Sequence, residues 1–181
     1  EQIITVHDQT APQVTTPAGT LDRNIACSDV AGIAAALLLA PAATDNCTAV
    51  PAIHLVSDVT TPNATCPNAY TRNRTWNFTD DCGNTSNNFV QTITVVDNTP
   101  PVITAGTIPV CYPTVAAAQA AALAATTASD NCGEAPTLTA TIVGSCTAVI
   151  TVTATDACGN RASVTYNVRI DSEVPDITPR T

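Results

Sequence analysis

FTDDCGNTSNNFVQTITVVDNTPPVI, residues 78 to 103, is echoed by ATDACGNRASVTYNVRIDSEVPDI at 154 to 177. An internal period of this kind decides the architecture first, because each copy must close a core of its own. The echo extends upstream, where TDNC at 44 to 47 is answered by SDNC at 129 to 132. Each copy reads in one order: a first Cys, an Ala-rich stretch, D-N-C, a third Cys, a Thr-rich strand, D-x-C-G-N, a last strand, and Asp before Pro. The Cys quartets are Cys27, Cys47, Cys66, Cys82 and Cys111, Cys132, Cys146, Cys158. Two homologous domains are expected, at 12–99 and 100–172. ITVHDQTAPQV at 4 to 14 matches ITVVDNTPPVI at 93 to 103. Residues 1–11 therefore read as the last strand and linker of a preceding repeat, and 173–181 as the start of a following one. The Asp-x-x-Pro segments are short, stiff joints, since Pro fixes φ and extends the residue before it.

Period-2 alternation sets Tyr70, Arg72, Arg74, Trp76 and Phe78 on one strand face, and Ala148, Ile150, Val152 and Ala154 on its counterpart. Last strands follow at about 88 to 96 and 162 to 170, with Gly83-Asn84 and Gly159-Asn160 suiting the positive φ of the connecting loops. Short strands separated by turn signals predict an all-β chain of tandem immunoglobulin-like β-sandwiches. The Ala-rich stretches at 31 to 40 and 115 to 125 break the strand pattern. With Ser28, Asp29 and Thr114 as N-cap candidates, they predict one short helix per domain.

Composition narrows the function. The chain has 181 residues with 45% hydrophobic and 12% charged, so it folds, yet only 3% are aromatic and Met is absent. Cores of small side chains need other support. A net charge of −9, with six Arg and no Lys, excludes the basic footprint of a nucleic-acid binder. The longest apolar run, Gly32 to Ala43 broken by Pro41, is well short of the roughly 20 residues that span a bilayer. There is no CxxC pair and neither His lies near a Cys, which disfavours zinc. His7 and His54 have no counterparts in the other copy, and G-x-S-x-G and H-E-x-x-H are both missing, so no catalysis is expected.

An even, repeated set of eight Cys points to disulfides in an oxidising compartment. Cys146 and Cys158 bracket a strand that would hold them roughly 40 Å apart if fully extended, whereas a bridge needs Cα atoms within about 7 Å. The third and fourth Cys of each quartet therefore sit at opposite ends of the sandwich. The second shares an end with the fourth. The expected pairs are Cys27–Cys66, Cys47–Cys82, Cys111–Cys146 and Cys132–Cys158.

The run TRNRTWNFTDDCGNTSNNFVQTITVVDNTPPVI resembles the HYR (hyalin-repeat) family. This immunoglobulin-like module is marked by a final strand pair around A-T-D-x-x-G-N followed by Asp and Pro-Pro. The closest likeness is to the Cys-containing version in tandem arrays of Bacteroidetes surface proteins, including SprB-type gliding-motility adhesins. The Ala-rich first half departs from the family's usual marks. The resemblance implies an extracellular cell-surface stalk or adhesin without catalysis. Its partners would be neighbouring repeats and a surface polysaccharide or substratum, with no nucleic acid and no membrane insertion. Two alternatives stand beside it: a self-assembling filament subunit joined by exchange of terminal strands, and a secreted carbohydrate-binding module. Trp76, on an apolar strand face, fits core packing better than sugar stacking. Asn46, Asn63, Asn73, Asn77 and Asn84 head glycosylation sequons.

No cofactor is required by these patterns, but calcium is a candidate, because hard cations take several oxygen ligands. The D-N-C and D-x-C-G-N loops lie at the end where the first strand enters. Asp8 should therefore approach Asp45, Asp80 and Asp81, and Asp97 should approach Asp130 and Asp156. The competing reading is that these acids make turns to their own backbone.

Overall fold

A computed structural model describes residues 2–171; the expected start of a following repeat at 173–181 lies outside them. The chain divides into two units, Glu1–Asp97 and a second beginning at Asn98. The first contains β1 (Gln13–Val14), β2 (Arg23–Ala26), α1 (Val30–Leu38), β3 (Ala43–Thr44), β4 (Ala52–Pro62), β5 (Tyr70–Thr79) and β6 (Phe89–Val96). One sheet has the order β2-β6-β5-β4, with β2 parallel to β6, and a two-stranded sheet joins β1 to β3. The second unit contains β7 (Val102–Ala105), β8 (Cys111–Tyr112), α2 (Val115–Ala125), β9 (Thr126–Ser129), β10 (Thr137–Gly144), β11 (Thr147–Thr155) and β12 (Arg161–Ile170). Its sheets, β8-β12-β11-β10 and β7-β9, repeat the first unit element for element, including the parallel pair. The chain is thus mostly β with two short helices, in the immunoglobulin-like arrangement.

Both helices start where a side-chain oxygen takes an otherwise orphaned amide. Asp29 Oδ1 accepts from Gly32 N at 2.8 Å, and Thr114 Oγ1 from Ala117 N at 3.1 Å. In α2 the buried residues are Ala118 and Ala122, so a small-residue stripe lets the helix lie close to the sheet. The core beneath it contains Tyr112, Ala148, Ile150, Val152, Tyr166 and Val168.

The first unit solves the same packing problem with polar groups. Gln91, fully buried on β6, donates from Nε2 to Leu21 O at 2.8 Å and Ala36 O at 3.1 Å. Arg74 on β5 donates from Nη1 to Leu37 O at 3.0 Å and Leu39 O at 3.3 Å, while its guanidinium lies 4.6 Å over the Trp76 ring. The last carbonyls of α1 are therefore satisfied by the sheet on which it packs. Trp76 itself is buried, with its ring 6.3 Å from that of Phe89.

The cysteines correct the sequence reading. Cys27, Cys66, Cys132 and Cys158 are disulfide-bonded. Cys47, Cys82, Cys111 and Cys146, expected as Cys47–Cys82 and Cys111–Cys146, carry free thiols. Local geometry explains the second case. Cys111 opens β8 opposite Arg169, and Cys146 directly precedes Thr147, which also faces Arg169 from β11. With β12 between them, the two are about two strand spacings, or roughly 9–10 Å, apart, beyond a bridge's reach. Cys66 instead sits in a turn four residues ahead of β5, with Ala69 N donating to its carbonyl, and has the slack that Cys146 lacks. For Cys47, an exposed thiol, desolvation comes first in raising its pKa, then the charge of Asp8, its hydrogen bond to the Asp8 carboxylate, the charge of Asp45 and the Cys82 thiol. A thiol kept protonated is slow to oxidise.

Candidate metal centre

The D-x-C-G-N sequence builds the same loop twice. Asp80 Oδ1 accepts from the amides of Cys82 (2.9 Å) and Asn84 (2.8 Å), and its Oδ2 accepts from Asn84 Nδ2 at 2.7 Å. Asp156 Oδ1 accepts from Cys158 N (2.9 Å) and Asn160 N (2.8 Å), and its Oδ2 from Asn160 Nδ2 at 2.9 Å. Gly83 and Gly159 turn the chain at φ 88° and 92°. A Cβ at either would meet nothing within 4 Å, so the backbone angle, not space, selects glycine there. Burial of Asp80 and Asp156 opposes ionisation. The side-chain amide of the loop Asn, followed by the loop's backbone amides, outweighs it and holds both carboxyls below the usual range.

The D-N-C turn is a second carboxylate cradle. Asp45 Oδ2 accepts from Cys47 N and Thr48 N, both at 2.9 Å. Buried Thr48 ties this turn to the loop, its Oγ1 accepting from Asp81 N at 3.0 Å. The entering segment is fastened to both. Asn84 Nδ2 donates to Asp8 O at 3.1 Å, and Asp8 Oδ1 accepts from Thr10 N at 2.9 Å and, at 3.5 Å, from Asn46 Nδ2.

Asp8, Asp45 and Asp80 consequently meet, each offering an oxygen within 4.8 Å of the other two. Asp81 does not join them: it is exposed, and only its amide faces the turn. In the second unit Asp130 and Asp156 each bring an oxygen within 4.8 Å of the other, and Asp97 is buried at the end of the first unit. Thr48 went unread in the sequence and Asn84 was read only as a loop and sequon residue, yet the two knit the three segments together. His7 and His54 are exposed and belong to none of the acidic groups.

The geometry of this unit agrees with a comparison against known families. Residues 6–95 match the model of the HYR-like domain with 4 cysteines. The first unit is an HYR-like domain with 4 cysteines. The four are Cys27, Cys47, Cys66 and Cys82, and the HYR-like unit begins its match two residues before Asp8. HYR-like domains are extracellular structural repeat modules and not enzymes. No curated protein gives a significant match to the chain. Among the described residues, no helix is long and apolar enough to cross a membrane.

Proposed function

We propose that this chain is a structural repeat segment of an extracellular surface stalk or adhesin, serving attachment or gliding-type surface adhesion without catalysis. The observation that carries the reading is duplication. One chain holds two units of identical connectivity, each closed by the same D-x-C-G-N loop, and one of them is an HYR-like domain. Disulfide-bonded cysteines in both units suit an oxidising, extracellular setting. The buried Trp76 weighs against a sugar-stacking module. Antibodies raised against this chain should label intact cells of its source, and their monovalent fragments should reduce attachment to a surface. Labelling only after permeabilisation would reject the extracellular assignment. Surface labelling with undiminished attachment would leave a stalk and reject the adhesin.

One observation supports a filament subunit as the second reading. Gln2–Asp8 repeats the pattern of Gln91–Asp97, yet Ile4 and Val6 are 78% and 88% exposed, whereas their counterparts Ile93 and Val95 are buried. Such a segment is fit to complete a sheet elsewhere. Size measurement across a concentration series tests this. Growing assemblies that vanish when residues 1–7 are deleted would favour strand exchange over the stalk.

A further inference from the structure

We propose that Asp8, Asp45 and Asp80 bind a calcium ion in the first unit. A cluster of acids proves little alone, and the argument rests on which oxygens are left over. Asp8 commits Oδ1 and Asp45 commits Oδ2 to backbone amides. Asp8 and Asp45 are half-buried, but their other oxygens, Asp8 Oδ2 and Asp45 Oδ1, are shielded from solvent and accept no hydrogen bond by distance and angle, the Cys47 thiol being the group that lies against Asp8. Asp80, 7% exposed, supplies the third carboxylate. Among the described residues, no ion pair reaches any of the three. Uncompensated carboxylate oxygens this close, shielded from water, repel one another strongly and are costly to bury. The repeat supplies an independent instance: Asp130 Oδ1, at the position of Asp45 Oδ1, is likewise buried without a partner. A turn-forming role accounts for one oxygen of Asp45 and one of Asp130 and leaves the same atom orphaned in both copies.

The donor chemistry selects the ion. All three ligands are hard carboxylate oxygens, which suit calcium or magnesium over softer metals. They come from three separate segments, the entering chain, the D-N-C turn and the D-x-C-G-N loop. Such a site tolerates the longer, irregular coordination of calcium more readily than magnesium's strict octahedron. Binding would fasten the entering segment to the two loops, which otherwise rely on the Asn84, Thr48 and Asn46 hydrogen bonds. This inference does not depend on the adhesive reading.

The test uses the full chain, stripped with chelator. Titration with calcium chloride should give saturable heat, with affinity in the range of extracellular modules, about 10⁻⁴ to 10⁻³ M. Melting in calcium at ten times the dissociation constant should rise by about 5 °C or more over chelator plus sodium chloride of matched ionic strength. Asp8→Asn and Asp45→Asn keep a turn acceptor, and each should remove one equivalent of binding or weaken it at least about tenfold. Asp81→Asn, outside the cluster, should bind as the parent does. Circular dichroism in chelator shows whether each variant folds, and Asp8→Asn, in a segment preceding every strand, remains informative if Asp45→Asn does not fold. The proposal falls if the parent shows neither saturable heat nor a rise beyond matched salt. It falls equally if Asp8→Asn retains the parent's stoichiometry and affinity, and an equal rise with magnesium would overturn the choice of ion.

Discussion

Gln91 is enclosed completely, and its one side-chain amide holds the chain before β2 and the end of α1 to the sheet. Replacing it with Leu roughly keeps the volume but strands Leu21 O, which costs about 1–3 kcal/mol if left unpaired, while Ala36 O keeps its bond from Leu39 N. Gln91→Leu should therefore lower the thermal midpoint clearly, while the matching exchange at Tyr166, Tyr166→Phe, gives up the shared hydrogen bond with Thr126 at 2.8 Å and should cost only about 1 kcal/mol. Calorimetry on both variants checks the order. Asp58 provides a pH signature. Its hydrogen bond from Arg72 comes first in lowering its pKa, against opposing burial, helped by the charges of Arg72 and Arg74. A carboxyl depressed by folding contributes stability above its unfolded pKa and loses it as pH falls through the folded value. The stability gap between the parent and Asp58→Asn should thus be full near neutrality and shrink below about pH 4. A gap that is constant down to pH 2 would remove the ion pair from the account.

At the scale of elements, α1 sets two effects against each other. Glycine inside a helix normally costs about 1 kcal/mol relative to alanine. Yet a Cβ at Gly32 would collide with the Asp29 carboxylate that caps the helix, and losing a cap costs about 1 kcal/mol. Gly32→Ala should therefore change stability little, and a gain of a full kcal/mol would show that the cap can move aside freely. In α2 the stripe has no slack: Ala118 and Ala122 are fully buried, so Ala122→Leu should destabilise by about 1–3 kcal/mol through overpacking. β4 is an edge strand whose register shifts between Leu55 and Ser57. Such a bulge blunts an edge that exposes Ile53, Leu55, Val56 and Val59.

Across the whole molecule, the disulfides support cores that contain few large side chains. With the expected pairing, Cys27–Cys66 would close about forty residues and Cys132–Cys158 about twenty-five, for which chain entropy predicts about 3–4 kcal/mol each. Non-reducing peptide mapping should recover these two pairs and four alkylatable thiols. Recovery of Cys47–Cys82 in freshly purified protein would show that the raised pKa of Cys47 does not protect it. Under force, chain inside the closed loops cannot extend, so reduction should lengthen the contour released by each unit. Equal release in the two states would reject that pairing.

The repeat, the strand alternation, the capped Ala-rich helices and the D-x-C-G-N turns are all local patterns, and sequence alone determined them. Each rests on residues within a few positions of one another: Asp29 over Gly32, Thr114 over Ala117, Asp80 over Cys82 and Asn84. Residues joined across long stretches of chain were another matter. The distance between Cys111 and Cys146 depends on a strand lying between them, and the tie from Gln91 to α1 on a helix packed 55 residues away. The meeting of Asp8 and Asp80 could be anticipated from strand direction, but Asp81 was wrongly added, because adjacent side chains in a tight loop diverge. Which carboxylate oxygen stays without a partner was settled only by the tertiary fold, which decides what is buried once every local hydrogen bond has been made.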